Sequence, residues 1–216
     1  MDKKFAIIIG GCGHSDGSEI HETIMTMLAV ERNDATYELF APDKDQYHVI
    51  NHLTGEEMVD TRNMLVEAAR IARGNIRSID DFDVNNFDAV IFPGGYGVAK
   101  NFLNYAFKGV KATIDPQVER LIKEAYAAQI PIGALCLAPV LLAKVLNDIT
   151  VTIGNDEITA QDIVKMGSTN INTSAGEVIS DKRNKIFSTP AYMLDATLSD
   201  IAEGAENLIS TMLDNM

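Results

Sequence analysis

The sequence predicts an α/β protein built on a doubly wound, mostly parallel sheet. Runs of strand length occur at residues 5–9, 88–92 and 130–135, and each ends at glycines or at an abrupt turn. Amphipathic segments of helical length separate these runs. The runs are apolar almost throughout and do not alternate with polar residues, as is typical of parallel strands buried on both faces. Strands that alternate with helices in this way favour a sheet covered by helices on both sides.

The first unit is a βαβ motif. Phe5–Ile9 reads as a central strand, bounded by Gly10, Gly11 and Gly13. Ser18 is a suitable N-cap for the helix that follows, and the second strand spans Tyr37–Phe40. The apolar stripe expected to face the core consists of Ile20, Ile24, Met27 and Leu28.

The middle of the chain adds a loop, a helix and a third core strand. Residues 45–55 carry little periodic signal and are predicted to form an irregular insertion loop. A helix is predicted over 61–73, with Gly74 as its stop signal. The strand 88–92 ends in Pro93–Gly97, whose glycines let backbone amides turn outward at the carboxyl edge of the sheet.

The second half repeats the alternation of helices and strands, and we see no linker, so residues 1–216 are predicted to form a single domain. The predicted elements are a helix over 115–128, a strand over 130–135, a helix ending near Asn147, a strand over 150–153, a helix over 159–166, strands over 178–180 and 186–188 joined by the turn 181–184, and a final helix over 194–213.

Composition restricts the class of function. The chain has 216 residues, of which 18 are Lys or Arg and 31 Asp or Glu, giving a formal net charge of −13. This charge disfavours binding to nucleic acid or to an anionic membrane. The apolar segment near the start is too short for a signal peptide, and no apolar run is long enough to span a bilayer. Two cysteines are too few for a disulfide framework, so we expect a cytoplasmic protein.

Cys136 is the leading candidate for a reactive residue. It lies where the strand of Ile130–Leu135 turns into a helix, with Pro139 in the first helical turn. Unpaired N–H groups and the positive end of a helix dipole would face its side chain, and both favour the thiolate. Ala134 and Ala138 leave room for a nucleophile elbow. The alternative is that Cys136 is only a small buried apolar residue.

The carboxyl edge of the sheet should bring this cysteine close to other polar groups. Ligands bind there in doubly wound sheets, so the segments after Ile9, Phe92 and Leu135 should converge. A carboxyl group beside Cys136 would be partly desolvated and its pKa raised. Glu19 and Glu22 are the two candidates, and either one could instead serve only as a favourable charge in the first turn of a helix.

Several segments, in order along nearly the whole chain, closely resemble the enhancing-lycopene-biosynthesis family. These segments are Gly11–Gly13, Asp16–Glu22, Phe40–Asp43, Val49–His52, Pro93–Asn101, Leu135–Pro139 and Thr189–Met193. That family is similar to the class I glutamine amidotransferase-like superfamily, which includes the Parkinsonism-associated deglycase and glutathione-independent glyoxalases. The resemblance implies a flavodoxin-like sandwich, usually in a homodimer.

The resemblance also implies roles for individual residues. Cys136 matches the superfamily nucleophile and Glu22 the glutamate that touches it, while Gly95 and Leu137 match positions whose backbone amides form an oxyanion hole. Leu137 occupies the position that is histidine in the superfamily's proteases, and no histidine follows His52. Glutamine hydrolysis and proteolysis, which need a histidine base, are therefore disfavoured.

The function implied is a glyoxalase-type conversion of small 2-oxoaldehydes to 2-hydroxy acids, linked to isoprenoid biosynthesis and needing no metal, cofactor or glutathione. Cys136 would add to the aldehyde and Glu22 would move protons. Lys100 and Cys12 are possible accessory residues, and His21 is expected to be structural. A non-catalytic, redox-sensitive regulatory or partner-binding protein is the alternative. The expected partners are a small aldehyde substrate and a second copy of the chain.

Overall fold

The computed structural model describes residues 3–216. The strands are β1 (Lys4–Ile8), β2 (Thr36–Ala41), β3 (Val49–Ile50), β4 (Glu57–Met58), β5 (Arg77–Ser78), β6 (Ala89–Phe92), β7 (Ile132–Leu135), β8 (Thr150–Val151), β9 (Thr169–Asn170), β10 (Ile179–Asp181) and β11 (Ile186–Thr189). The α-helices are α1 (Ile20–Arg32), α2 (Met64–Ile71), α3 (Tyr105–Lys108), α4 (Pro116–Ala127), α5 (Ala138–Leu146), α6 (Glu157–Lys165) and α7 (Leu198–Leu213).

Seven strands form one sheet in the order β10-β11-β7-β6-β1-β2-β5. All neighbouring pairs are parallel except β10 with β11. The chain order changes direction at β1, which lies between β6 and β2, and this is the kind of switch point at which such sheets bind ligands. The prediction of a doubly wound, mostly parallel sheet is therefore confirmed.

Alternate residues of the strands feed two cores, one on each face of the sheet. In β1, Ala6 and Ile8 point to the core shared with α4 and α5, whereas Phe5 and Ile7 point to the core shared with α1 and α7. Both cores are closed to water, which explains why the strands are apolar throughout. Between residues 3 and 216, no helix combines the length and the apolar character needed to cross a membrane.

Three peripheral elements differ from expectation. Part of the predicted insertion loop and the residues after it form the β3–β4 hairpin, and β5 adds a short edge strand that the sequence did not signal. The segment predicted as a strand over 150–153 is the two-residue β8, which pairs with β9 outside the main sheet. These strands are two residues long, and pairs this short leave no periodic pattern to detect.

The start of α1 and its buried face were predicted wrongly. Glu19, not Ser18, is the N-cap, because the Ser18 hydroxyl accepts a hydrogen bond from the Gly10 N–H at 2.9 Å. Ile20 and Ile24 are exposed, while polar residues of the same helix, Glu22 among them, are buried. The first half of the helix buries Glu22, Thr23 and Thr26, and loops at the sheet edge offer backbone partners to the Glu22 carboxyl.

Close contact between two glycine loops holds this edge together. The Gly97 N–H donates to the Gly17 carbonyl at 2.7 Å, and the Gly13 N–H donates to the Ser18 carbonyl at 2.9 Å. A Cβ placed on Gly97 would lie 2.5 Å from the Gly17 carbonyl carbon. The loops after β1 and β6 therefore approach within a distance that only glycine allows.

Gly97→Ala should lower the free energy of unfolding by about 2 kcal/mol, because backbone atoms of Gly17 cannot move aside as a flexible side chain would. The Gly97 φ of −56° is compatible with alanine, so the cost measures the contact alone. Gly204→Ala is the matched control, because the atom nearest to the added methyl is the Thr189 hydroxyl oxygen at 3.1 Å, the nearest backbone atom is 3.7 Å away, and the surrounding helix favours alanine. Equal urea midpoints for the two variants would contradict the prediction.

Candidate active site

Cys136 occupies a strained turn between β7 and α5. Its φ of 57° lies in the left-handed region that side chains other than glycine seldom adopt. The Cys136 N–H donates to the Thr189 carbonyl at 3.0 Å, which ties the turn to the neighbouring strand β11. A non-glycine residue held in this region is common at functional sites, and the geometry matches the predicted nucleophile elbow.

Glu22 lies in the first turn of α1 with its side chain fully buried. Its Oε2 accepts a hydrogen bond from the Gly94 N–H at 2.8 Å, and its Oε1 accepts one from the Tyr192 N–H at 3.3 Å. The loops after β6 and β11 thus fix the carboxyl group from two directions.

The carboxyl group of Glu22 and the sulfur of Cys136 lie against the same backbone position. A Cβ built on Gly94 would be 2.7 Å from the Glu22 Oε2 and 3.0 Å from the Cys136 Sγ. The two side chains are hydrogen-bonding partners, and the backbone N–H groups of Gly95 and Leu137 also face the sulfur. The structure therefore brings together the four residues Glu22, Gly95, Cys136 and Leu137, which the sequence placed at one site.

Burial dominates the electrostatics of this pair. It raises the pKa of Glu22 from an ordinary value of 4.5 to about 7, and the charge of Glu19 adds to the rise. Burial also raises the pKa of the Cys136 thiol well above its ordinary value, followed by the effect of the Glu22 charge, while the N–H groups of Gly95 and Leu137 act in the opposite direction.

The expectation that the elbow lowers the pKa of Cys136 is therefore wrong. Partial charges at a helix end fall off within one turn, whereas Cys136 is only 8% exposed and has a carboxylate as its neighbour. Two negative charges cannot coexist at this separation in a buried site. The pair consequently holds at least one proton near neutral pH, shared between sulfur and carboxyl oxygen.

A cavity of about 340 Å³ opens next to Cys136. Gly95, Leu137 and Cys136 contribute to its wall. Tyr96, Tyr105 and Tyr192 also line it, as do the polar residues His14, Glu19 and Asp156. Its size and largely apolar walls are typical of a site for a small organic molecule.

The two accessory candidates lie away from the cavity wall. Cys12 is a half-buried free thiol, and burial raises its pKa, with the nearby Glu67 charge as the next contribution. The Lys100 Nζ donates to the Ser15 carbonyl at 2.7 Å and rests 4.9 Å from the centre of the Tyr96 ring. Neither residue lines the cavity beside Cys136.

The four histidines differ in their distance from the site, and His14 is the one that lines the cavity. His21 is exposed, and its Nδ1 lies 2.9 Å from the Tyr192 hydroxyl at the edge of the site. His48 and His52 belong to the segment around the β3–β4 hairpin and do not line the cavity. No three His, Cys, Asp or Glu side chains in the part of the chain from residue 3 onward are grouped to hold a metal ion.

Several residues of the cavity were not predicted from the sequence, among them His14, Tyr105 and Asp156. His14 belongs to the loop after β1, so the predicted convergence of loops was enough to find it. Tyr105 comes from the one-turn helix α3 and Asp156 from the residue before α6. Tyr105 and Asp156 therefore reach the cavity from segments other than the converging loops, and no local sequence pattern predicts their position there.

Comparison with known proteins identifies relatives along almost the whole chain. The chain is 38% identical to the rat protein named ES1 protein homolog, mitochondrial, over 98% of its own length and 83% of that protein. It is also 38% identical to the human glutamine amidotransferase-like class 1 domain-containing protein 3, mitochondrial, over 98% of its length and 82% of that protein. No protein-family profile matches the chain.

These relatives contradict the expected cytoplasmic location. The rat, human and zebrafish proteins are each named as mitochondrial. The expectation rested on a low number of cysteines, and that observation reports a reducing environment without distinguishing one compartment from another.

Solved structures agree with the architecture. An isoprenoid biosynthesis protein with amidotransferase-like domain from Ehrlichia chaffeensis superimposes with a TM-score of 0.91 at 38% identity, covering 99% of this chain and 100% of that one. Glyoxalase III from Candida albicans shares the fold at 13% identity, with a TM-score of 0.61 and 96% of each chain covered. The flavodoxin-like, amidotransferase-like fold and the resemblance seen in the motifs are confirmed, and the chain belongs to the ES1 family of glutamine amidotransferase-like class 1 domain proteins.

Proposed function

We propose that the protein is a glyoxalase-type enzyme that converts small 2-oxoaldehydes to 2-hydroxy acids through the thiol of Cys136. The observation that carries the proposal is the buried Glu22–Cys136 pair, which stores a movable proton beside a cavity large enough for a small organic molecule. Aldehydes are strong electrophiles, so a thiol can add to them without the histidine base that amide hydrolysis requires.

The reaction begins with addition of sulfur to the aldehyde carbon. As the carbon–sulfur bond forms, the thiol proton passes to the Glu22 carboxylate and from there to the aldehyde oxygen, which gives a hemithioacetal and leaves Glu22 ionised for the next stage. A carboxyl group with a pKa of about 7 is suited to both steps, since it accepts and releases a proton near neutral pH.

The second stage moves hydrogen between the two carbons. Glu22 removes the proton from the carbon that carries sulfur, which gives an enediol, and returns a proton to the neighbouring carbon. The former aldehyde carbon becomes a thioester and the former ketone carbon an alcohol, so one carbon is oxidised and the other reduced within one molecule. Water then cleaves the thioester, releasing the 2-hydroxy acid and restoring the thiol.

The backbone N–H groups of Gly95 and Leu137 suit the charge that develops on oxygen during these steps. Both groups face the sulfur of Cys136, so an oxygen on the carbon bound to that sulfur would lie within their reach. Fixed donors of this kind need no reorganisation during the reaction, and each commonly contributes a factor of about 10² or more to the rate.

Two similar proteins support the proposal by their names. The Candida albicans neighbour is a glyoxalase III, although at 13% identity its likeness concerns the fold. The Ehrlichia chaffeensis neighbour is named for isoprenoid biosynthesis, and we extend that association to this chain as part of the proposal. Assembly into a homodimer likewise stays a prediction.

Redox sensing, the alternative function, has less support. A sensor cysteine needs an accessible thiolate, since the thiolate is the form that peroxides oxidise. Cys136 is 8% exposed and its pKa is raised by burial, so it has neither property. The proposed reaction needs no thiolate in advance, because the Cys136 thiol gives its proton to Glu22 while it adds to a substrate in the cavity.

Cys136→Ala should reduce methylglyoxal consumption to the uncatalysed rate, because no other thiol lies on the cavity wall. Cys12→Ala is the matched control, since it also removes one free thiol but lies outside the cavity, and it should retain most of the activity. The measurement is lactate formation by purified protein. Background rates in the unaltered protein, or equal loss in both variants, would refute the proposed function.

Glu22→Gln should change how stability depends on pH. The Glu22 pKa rises from 4.5 unfolded to about 7 folded, so its contribution to stability is complete below pH 4.5 and is lost as pH rises through 7. The shift corresponds to about 3 kcal/mol. Between pH 5 and pH 8 the unaltered protein should therefore lose about 2 to 3 kcal/mol of unfolding free energy relative to Glu22→Gln.

Urea denaturation of both proteins at several pH values measures this difference, and it requires no substrate. A difference in unfolding free energy that stays constant from pH 5 to pH 8 would show that Glu22 has an ordinary pKa. Glu56→Gln, at an exposed glutamate in the hairpin segment, serves as the control for adding one amide.

A further inference from the structure

The cavity beside Cys136 contains much more space than the smallest 2-oxoaldehydes need. Its volume of about 340 Å³ equals that of about eleven waters at the density of the liquid. The two reacting carbons and their oxygens occupy a small part of that space. The remainder must accommodate the group attached to the ketone carbon, and the walls of this remainder determine which group fits.

Three tyrosines contribute to those walls, and the hydroxyl groups of two of them are engaged elsewhere. The Tyr105 hydroxyl donates to the Asp162 Oδ2 at 3.0 Å, and the Tyr192 hydroxyl lies 2.9 Å from the Nδ1 of His21. Both rings line the cavity, and so does Tyr96. A flat apolar group would contact ring faces here without depriving any hydroxyl of its partner.

The charged groups of the cavity have one sign. Its carboxylates belong to Glu19 and Asp156, and no lysine or arginine between residues 3 and 216 lines it. The nearby Lys100 is bound to the Ser15 carbonyl behind the Tyr96 ring. An anionic substrate would meet two negative charges and no lysine or arginine on this wall, so the repulsion is not offset by a cationic side chain of either type.

Hydrogen bonds hold Asp156 in the charged form. It caps α6, and its Oδ1 accepts the Thr159 N–H at 2.8 Å. Hydrogen bonds from the Thr159 side chain and backbone lower the pKa of Asp156. The Asp156 carboxyl therefore stays ionised over the whole neutral range.

We propose that the cavity selects 2-oxoaldehydes carrying an uncharged aromatic or bulky apolar group, and that Asp156 determines specificity by excluding those carrying a carboxylate or phosphate. This inference rests on the proposed function, since it specifies the substrate of the same site. The chemistry is unchanged: phenylglyoxal plus water gives mandelate, with the aldehyde carbon oxidised, the ketone carbon reduced, and no external oxidant needed.

The test compares three substrates that share the reacting carbons, namely methylglyoxal, phenylglyoxal and 4-carboxyphenylglyoxal. With purified full-length protein, and with rates in Cys136→Ala subtracted, kcat/KM for phenylglyoxal should exceed that for methylglyoxal by at least about tenfold. It should exceed that for 4-carboxyphenylglyoxal by at least about tenfold as well, because the ring is the same and only the charge differs.

Asp156→Asn keeps a good N-cap residue and removes the charge. It should narrow the gap between phenylglyoxal and 4-carboxyphenylglyoxal at least about threefold, mainly through KM. Asp115→Asn is the matched control, since Asp115 caps α4 and lies outside the cavity, so it changes net charge equally and should leave the gap intact. Comparable use of the charged and uncharged substrates, or an equal response of the two variants, would overturn the inference.

A binding measurement separates failure of the inference from failure of the proposed function. If no aldehyde is consumed, the proposed function is refuted, and saturation-transfer NMR with acetophenone and benzoate then decides the selectivity of the cavity. Stronger transfer to acetophenone supports the inference. Equal or stronger transfer to benzoate overturns it, and this readout also applies if Asp156→Asn fails to fold.

Discussion

The structure depends on one buried carboxyl group being satisfied by backbone. No cationic side chain among residues 3–216 pairs with Glu22; instead the N–H groups of Gly94 and Tyr192 hold its two oxygens. Those N–H groups come from loops after two different strands, and the loops can meet only because glycines let backbone approach backbone. A charge buried without a counterion shifts its pKa rather than remaining ionised. The close packing of the loops is therefore what makes Glu22 a proton carrier near neutral pH.

Two effects act in opposite directions on Cys136, and burial is the larger. The start of α5 and the N–H groups of Gly95 and Leu137 favour the thiolate, but a helix end is worth only about 0.3–1 kcal/mol at exposed sites. Removing an ion from water costs several kcal/mol even after relaxation. Sequence reasoning counted the first effect and had no measure of the second, since exposure depends on loops distant in the chain. That is why the residue was identified and its pKa was not.

Features that depend on neighbouring residues could be predicted from the sequence, and features that depend on distant parts of the chain could not. Long apolar runs and strand-end glycines predicted where the main strands and the elbow lie along the chain, because these positions depend on neighbouring residues. The buried face of α1 was misjudged because Ile20 and Ile24 form the more apolar stripe, whereas Glu22 is drawn inward by backbone partners from other loops. Asp156 was missed for a related reason, since it reaches the cavity from a helix whose place in the fold has no sequence signature.

The absence of a histidine behind the cysteine has a consequence for the type of reaction. A histidine base stores charge as an imidazolium, which a neighbouring carboxylate stabilises, and this suits the expulsion of a poor leaving group such as an amine. A glutamic acid beside the sulfur passes a proton within the pair and generates no separated charges. Addition to an aldehyde, followed by proton movement between adjacent carbons, requires no poor leaving group. The pair therefore suits carbonyl addition, which creates little separated charge. In the proposed selectivity, the acidic cavity lined by tyrosines excludes substrates that bring further negative charge.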